Sequence, residues 1–249
     1  MLFAASGLRG STVQATDDRV GTAKDFLFDD QAWQIRWMVV DTGSWLPGRK
    51  VLIHASAIQP LHLAGPEGSA PPMMHSLPLE TLSVRLARQQ IEDGPELAEE
   101  EPVSAEIELQ LYRAFGWNPA WGTTFMPAGA IADRPREPDE PHLHGIRELD
   151  GSRLHATDGE IGHVADIFVD DGAWDIRYLK VATRSWWPGQ SVLLAPFAVR
   201  HIDWHDRRLE LDVSREQVRT SPPWDPMAMI DRMTEQQLHA HYGWPGYGW

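Results

Sequence analysis

Carboxylates are the first residues in this sequence with the potential for chemistry. Two adjacent acidic pairs, Asp29-Asp30 and Asp170-Asp171, have the residue types needed for acid–base catalysis or calcium binding. Neighbouring side chains in a strand or turn point to different sides, which works against both carboxylates of a pair reaching one ligand. We therefore interpret both pairs as polar residues of hairpin turns.

Histidines are the next candidates, because the chain has eleven of them. Three pairs have suggestive spacings: His201/His205, His239/His241 and His142/His144. The first pair would lie about 13 Å apart in an extended segment, and the second about 200° apart around a helix. The third could chelate from one face, yet two ligands without a third make a weak site. The sequence predicts no metal site.

Other catalytic patterns are missing from the sequence. The chain contains no cysteine, so it has neither a thiolate nucleophile nor a disulfide framework. No Ser-His-Asp order and no GxGxxG loop can be recognised. We therefore predict a protein that is not an enzyme, with no catalytic residues and no cofactor.

The composition of the chain argues against some classes of binding partner. The formal net charge of −14 disfavours direct binding to nucleic acid or to anionic lipid, both of which require a basic surface. No apolar run approaches the roughly 20 residues of a membrane span, and the first residues do not resemble a signal peptide. A cytoplasmic location is the resulting prediction.

An internal duplication organises the chain. The stretch DDQAWQIRWMVVDTGSWLPGRKVLI (29–53) recurs as DDGAWDIRYLKVATRSWWPGQSVLL (170–194) at an offset of 141 residues, and 22 of 49 positions match between 10–58 and 151–199. Later matches, such as LYRAFGW (111–117) with LHAHYGW (238–244), have an offset of 127. The change in offset locates an insertion of 14 residues in the first copy.

The offsets give the domain boundaries. Copy one covers 1–122, with its insertion at about 64–78, and copy two covers 143–249. The proline-rich and charged residues 123–142 between them are typical of a linker. Each copy has short, regularly spaced strands followed by one amphipathic helix, near 104–115 and 227–241. The prediction is a mainly β protein with two small antiparallel β-barrels, each followed by a C-terminal helix.

Tryptophan-rich stretches supply the candidate interaction residues. Alternation places Trp33, Ile35 and Trp37 on one strand face, repeated as Trp174, Ile176 and Tyr178, and we expect these rows to pack between the copies as a pseudo-dimer. The competing hypothesis is that each copy's own helix covers its row. The candidates for a partner surface are turn residues, where burial is harder: Trp45, Pro47, Trp186, Trp187 and Pro188. The C-terminal GWPGYGW is either a further anchor or a disordered tail.

The repeated pattern resembles a known family. It reads DG-x-IG-x-V-x-D-x-x-x-DD, then W-x-IRYL, then W-x-PG-x-x-VLL. In copy two the residues are Asp158-Gly159, Ile161-Gly162, Val164, Asp166, Asp170-Asp171, Trp174, Ile176–Leu179, Trp186, Pro188-Gly189 and Val192–Leu194. This pattern resembles the PRC-barrel domain of the photosynthetic reaction-centre H subunit and, more distantly, the C-terminal domain of the ribosome maturation factor. Copy one departs from it at Asp18 and Arg19.

The resemblance implies a fold more strongly than a function. It implies a non-enzymatic interaction or scaffold module that binds protein partners, with a homo-oligomer as a further option. A first alternative is an accessory of a membrane or photosynthetic electron-transfer complex, associated with the membrane indirectly. A second alternative is a small-ligand-binding protein or an enzyme with a site between the barrels.

Overall fold

The structure is a computed structural model, and it describes residues 1–61, 79–95, 97, 103–117, 143–183, 191–222, 224–225 and 230–247. The predicted insertion at 64–78 and the predicted linker at 123–142 lie outside these residues.

The elements of copy one follow the predicted order, with additions at the start. In chain order they are strand β1 (Leu2–Ala4), helix α1 (Ala5–Leu8), strands β2 (Thr12–Gln14), β3 (Arg19–Asp29), β4 (Gln34–Asp41), β5 (Val51–His54) and β6 (Thr81–Ser83), and helices α2 (Arg88–Glu92) and α3 (Ala105–Phe115). Helix α3 begins at the Ser104 side-chain cap and ends at Gly116, whose φ of 66° is left-handed.

Copy two repeats this order. Its elements are β7 (Leu143–Gly145), α4 (Ile146–Leu149), β8 (Arg153–Ala156), β9 (Gly159–Asp170), β10 (Ile176–Ala182), β11 (Ser191–Leu194), β12 (Val199–Asp203), β13 (Arg208–Leu211), α5 (Arg215–Arg219) and α6 (Arg232–Tyr242). Helix α6 is capped by the Asp231 side chain and ends at the left-handed Gly243. Helix α3 has its predicted range, whereas α6 begins at Arg232, five residues after the predicted start near 227.

Two sheets form the frame of the molecule, one for each copy. The first has the order β5-β4-β3-β2-β6 and the second the order β11-β10-β9-β8-β13-β12. The mainly β class is confirmed, and nine of the eleven strand pairs in the described residues are antiparallel, as expected. The β2–β6 and β8–β13 pairs are parallel, because a long connection separates the two strands of each pair.

The copies exchange their first strands. Strand β1 of copy one pairs with β9 of copy two, with Leu2 opposite Asp170. Strand β7 of copy two pairs with β3 of copy one, with Leu143 opposite Asp29. Each sheet is therefore completed by a strand from the other copy.

The turn before β4, and the matching turn before β10, differ from the prediction. The strand was expected to start at the tryptophan, but Trp33 and Trp174 precede β4 and β10 and have left-handed φ angles of 52° and 62°. Their backbone N–H groups donate to the carbonyl oxygens of Asp29 at 2.7 Å and Asp170 at 2.8 Å. This bond closes the turn and turns both indoles inward, to 1% and 2% exposure.

Candidate functional site

We call the contact between the two copies the seam. At its centre, a residue of copy one pairs with its counterpart in copy two. Gln34 forms an antiparallel bridge with Asp175, the residue 141 positions later. On either side, Ile35 N–H donates to the Trp174 carbonyl at 2.9 Å and Ile176 N–H donates to the Trp33 carbonyl at 2.7 Å. The two bonds exchange under a twofold rotation, which is the symmetry of a homodimer interface within one chain.

The innermost part of the predicted aromatic rows lies at this seam. Trp33, Ile35, Trp174 and Ile176 all belong to one continuous buried core that draws residues from both copies. Trp174 stacks on Phe26 of copy one, with ring centroids 6.0 Å apart. The structure therefore places these four side chains at the contact between the copies.

Trp37 and Tyr178 lie elsewhere, which corrects the expectation of a single face. Ile35 and Trp37 pair with the consecutive residues Phe28 and Leu27, so Arg36 is an extra residue in a β-bulge. The bulge turns Trp37 to the opposite face of the sheet, where it packs with Leu111 and Tyr112 beneath helix α3.

The same bulge occurs in copy two. Arg177 is the extra residue there, because Ile176 and Tyr178 pair with Val169 and Phe168. Tyr178 packs beneath helix α6 with Leu238. For these two residues, each copy's own helix covers the aromatic side chain.

The exchanged strands add polar contacts along the seam. The Ser6 hydroxyl donates to Asp166 at 2.5 Å, and the Arg9 guanidinium pairs with Asp150 at 2.7 Å. On the other side of the axis, the Arg147 backbone N–H donates to Asp25. Sequence reasoning missed this region, although the offset of 141 also aligns Leu2 with Leu143 and Leu8 with Leu149.

Only part of the predicted partner surface falls within the described residues. Trp45 is partly buried against the core, and the Arg88 guanidinium lies 4.2 Å from its ring centroid. Pro47 is exposed two residues further along the same turn. Trp186, Trp187 and Pro188 lie outside the described residues.

The family follows from a comparison with models of known protein families. The model of the PRC-barrel domain matches residues 1–60 and 142–218, which together make up more than half of the chain. The chain belongs to the PRC-barrel family. A search of curated proteins found no matching relative.

The matched residues fit the two PRC-barrel copies seen in the structure. Both matches begin close to an exchanged strand, at β1 and at β7. The glycine of the Ile-Gly motif has a clear steric role. A Cβ on Gly21 or Gly162 would lie 2.0 Å from the carbonyl oxygen of Asp41 or Ala182, so only glycine allows the neighbouring strands of each PRC barrel to approach.

Two half-buried carboxylates are the most perturbed acids of the PRC-barrel seam. Burial raises the pKa of Asp175 to about 6, against the opposing effect of a hydrogen bond from Gln34 Nε2 at 3.1 Å. Burial also raises the pKa of Asp25 to about 6, against hydrogen bonds from the backbone N–H groups of Phe26 and Arg147. Each carboxylate is held by neutral donors within the PRC-barrel pair.

Neither a metal-binding cluster nor a membrane-spanning helix is found in the described part of the chain. Among the described residues, no cluster of three or more His, Asp or Glu side chains could hold a metal ion. His144, which was predicted as one of a chelating pair, stacks on Trp204 with ring centroids 3.7 Å apart, and its partner His142 lies outside the described residues. No helix in the described part of the PRC-barrel protein is long and apolar enough to cross a membrane.

Proposed function

We propose that this PRC-barrel protein is a non-enzymatic interaction module, and that its partner protein docks on the copy-one turn that contains Trp45 and Pro47. The observation that carries the proposal is the Trp45 side chain itself. It is a partly buried indole on a turn, with an arginine over its face and the exposed Pro47 two residues away.

The chemistry of the turn suits a protein partner. Tryptophan and arginine are the residue types that most often dominate the binding energy of protein interfaces. The Arg88 guanidinium is also paired with Asp18 at 2.5 Å, which keeps it in place over the indole. Pro47 adds an apolar surface of fixed backbone shape. The turn therefore offers a rigid apolar anchor with a charged border.

Trp45 variants test the proposal. The full chain is used to capture proteins from lysate of its source cells, alongside Trp45→Ala and the control Met233→Ala, which removes an exposed apolar side chain from helix α6. We expect Trp45→Ala to weaken binding of one specific protein at least tenfold, which is roughly the effect of losing an interface anchor. Met233→Ala should leave its recovery unchanged.

Folding has to be separated from binding in this experiment. Each variant is first compared with the parent chain by its thermal unfolding curve, and Trp45→Phe replaces Trp45→Ala if the latter is unstable. The proposal is overturned if no captured protein depends on Trp45, or if Met233→Ala reduces capture equally. The alternatives of a membrane or electron-transfer accessory and of a ligand site between the barrels stay predictions.

A further inference from the structure

Two contacts of the seam join residues that are counterparts of each other. Arg9 and Asp150 are equivalent positions under the offset of 141, and they form an ion pair at 2.7 Å. Gln34 and Asp175 are also equivalent positions, and the Gln34 Nε2 donates to the Asp175 carboxylate at 3.1 Å. Both contacts therefore lie on the twofold axis that relates the copies, and at both the two copies have different residues.

Other contacts of the seam do not distinguish one copy from the other. Asp166 of copy two accepts a hydrogen bond from the backbone N–H of Ser6 at 3.2 Å. Its counterpart Asp25 accepts one from the backbone N–H of Arg147, the residue equivalent to Ser6. The acceptor is the same residue in both copies and the donor is the backbone. Two identical copies from two molecules could form these same bonds.

The axis is where charge can distinguish the copies. A side chain on a twofold axis meets an identical side chain when two identical surfaces pair. Two copy-one surfaces would bring Arg9 against Arg9 of a second molecule, and two copy-two surfaces would bring Asp150 against Asp150. Like charges placed together in an interface cost free energy. The exposed fractions of these side chains are 22% and 33%, so solvent screens the repulsion only in part.

Neighbouring charges within each copy do not remove this difference. Asp25 interacts electrostatically with Arg9, and the Arg207 guanidinium donates to the backbone carbonyl of Asp150. Each of these interactions is made inside one copy and is kept in every pairing. The free-energy difference between pairings therefore depends on the charges that meet at the axis.

The second axial contact acts against pairs of copy two. There, two Asp175 carboxylates would face each other without the amide of Gln34, which also donates to the Ala173 carbonyl at 3.0 Å. Two Gln34 amides could hydrogen-bond to each other, because each has both a donor and an acceptor. Copy one is therefore prevented from pairing with itself by Arg9, and copy two by Asp150 and Asp175.

We propose that Arg9 and Asp150, assisted by Gln34 and Asp175, determine which surface the seam binds. Copy one binds the surface of copy two and excludes a second copy of itself. A second molecule of this chain can then bind through the seam in only one way, with copy one of each molecule on copy two of the other. This specificity is separate from the proposed docking at Trp45 and does not depend on it.

Exchanging the axial charges tests the proposal in the full chain. Arg9→Asp gives copy one the residue of copy two, and Asp150→Arg gives copy two the residue of copy one. Each single variant should raise the equilibrium constant for unfolding about tenfold, since an attractive pair becomes a repulsive one. The double variant has opposite charges in reversed order and should return to within about threefold of the parent chain. Urea unfolding at low ionic strength measures all three variants.

Mixing the two single variants tests the choice of partner. Within each single variant the axial charges are alike, whereas reciprocal pairing of the two variants places an aspartate opposite an arginine at both axes. We expect the two variants, unfolded and refolded together, to form more dimer than either variant alone. Size-exclusion chromatography with light scattering measures the dimer. If a single variant is unfolded by itself, recovery of folded protein only on mixing is the equivalent result.

The matched control reverses an ion pair outside the seam. Arg219 and Glu216 pair at 2.6 Å on the exposed side of α5, and Arg219→Glu and Glu216→Arg reverse their charges. Each should change the equilibrium constant for unfolding by less than about threefold, and their mixture should form no additional dimer. The proposal is overturned if the axial double variant is no more stable than the single variants, if the axial mixture forms no more dimer than its components, or if the control mixture dimerises equally.

Discussion

The seam has diverged less since the duplication than the outer helix layer. This layer consists of α3 and α6 with the side chains beneath them. The buried apolar residues beside the twofold axis of the seam are the same in both copies, with Trp33 matched by Trp174 and Ile35 by Ile176. Each of these residues lies beside the twofold axis and contacts the other copy. A change in one copy would therefore have to fit the unchanged surface of the other.

The helix layer has no such restriction. In copy one, the Trp37 ring lies 5.0 Å from His54 and 5.3 Å from Tyr112. In copy two the corresponding residues are Tyr178, Ala195 and His239. The two copies therefore have different side chains at the same three positions, so each helix has adapted to its own sheet. Self-complementarity preserves sequence only where the copies touch.

The largest expected effect comes from separating the copies. Residues 143–249 alone would lack β1, the strand that pairs with β9, and would expose Trp174 and Ile176. We expect this fragment to lose most of its stability as a monomer and to dimerise or aggregate as its concentration rises. Size-exclusion chromatography with light scattering, together with circular dichroism over a concentration series, measures this behaviour.

A variant of the fragment shows whether the seam drives association. Trp174→Ala should change the dimerisation of the fragment, because the indole lies at the seam. Met233→Ala, on the exposed side of α6, should leave it unchanged. A folded monomer of 143–249 at high concentration would show that the exchanged strand and the seam are dispensable.

Duplication and helix ends could be predicted from the sequence because both depend on local signals. The constant offset of 141 residues implies two similar units, and Gly116 and Gly243 mark the ends of α3 and α6. The alternation rule failed at Arg36 and Arg177, because a bulge shifts every later side chain to the other face. The change from polar Gln34 and Arg36 to apolar Met38 and Val40 indicates either burial on both faces or a bulge, and the sequence does not decide between them.

The seam depends on contacts between distant parts of the chain. Asp25 and Arg147 are 122 positions apart in sequence, yet both line one cavity. Their proximity requires β7 of copy two to pair with β3 of copy one. Strand exchange is therefore a property of the packed pair and cannot be derived from either copy alone.

A smaller effect is expected where the seam departs from symmetry, at Gln34 and Asp175. Asp175 has a pKa raised to about 6 by burial, above the value of about 3.9 expected in an unfolded chain. The folded state therefore binds the proton more tightly than the unfolded state, and the ionised carboxylate destabilises the fold. Stability contributed at this position is present below about pH 4 and falls as the pH rises to about 6.

The variant Asp175→Asn replaces the carboxylate by a neutral amide. Both copies then have an amide at this position of the seam, since the counterpart in copy one is Gln34. We expect the free energy of unfolding to rise by roughly 3 kcal/mol at pH 7.5, and to change little at pH 4. Urea unfolding at the two pH values measures the difference. Asp212→Asn is the matched control, since it removes the same charge from an exposed position of copy two. An equal gain at both pH values would argue against a buried charge as the cause.

The smallest expected effect concerns Tyr247, which extends the helix layer of copy two. Its ring lies 4.8 Å from His239 and 5.4 Å from Phe197, and its hydroxyl donates to the Arg177 carbonyl at 2.9 Å. The tail residue Tyr247 is thus part of the packing, whereas the sequence suggested an anchor or a disordered tail. By the offset of 127, the counterpart in copy one is Ala120.

Two variants separate the contributions of this side chain. We expect Tyr247→Ala to lower the free energy of unfolding by about 2 kcal/mol, since it removes a partly buried ring. Tyr247→Phe keeps the ring and loses only the hydrogen bond to Arg177, so it should cost about 1 kcal/mol. Urea unfolding followed by tryptophan fluorescence measures both. If Tyr247→Ala proves neutral, the tail does not stabilise copy two, and the helix layers differ only in the residues beneath them.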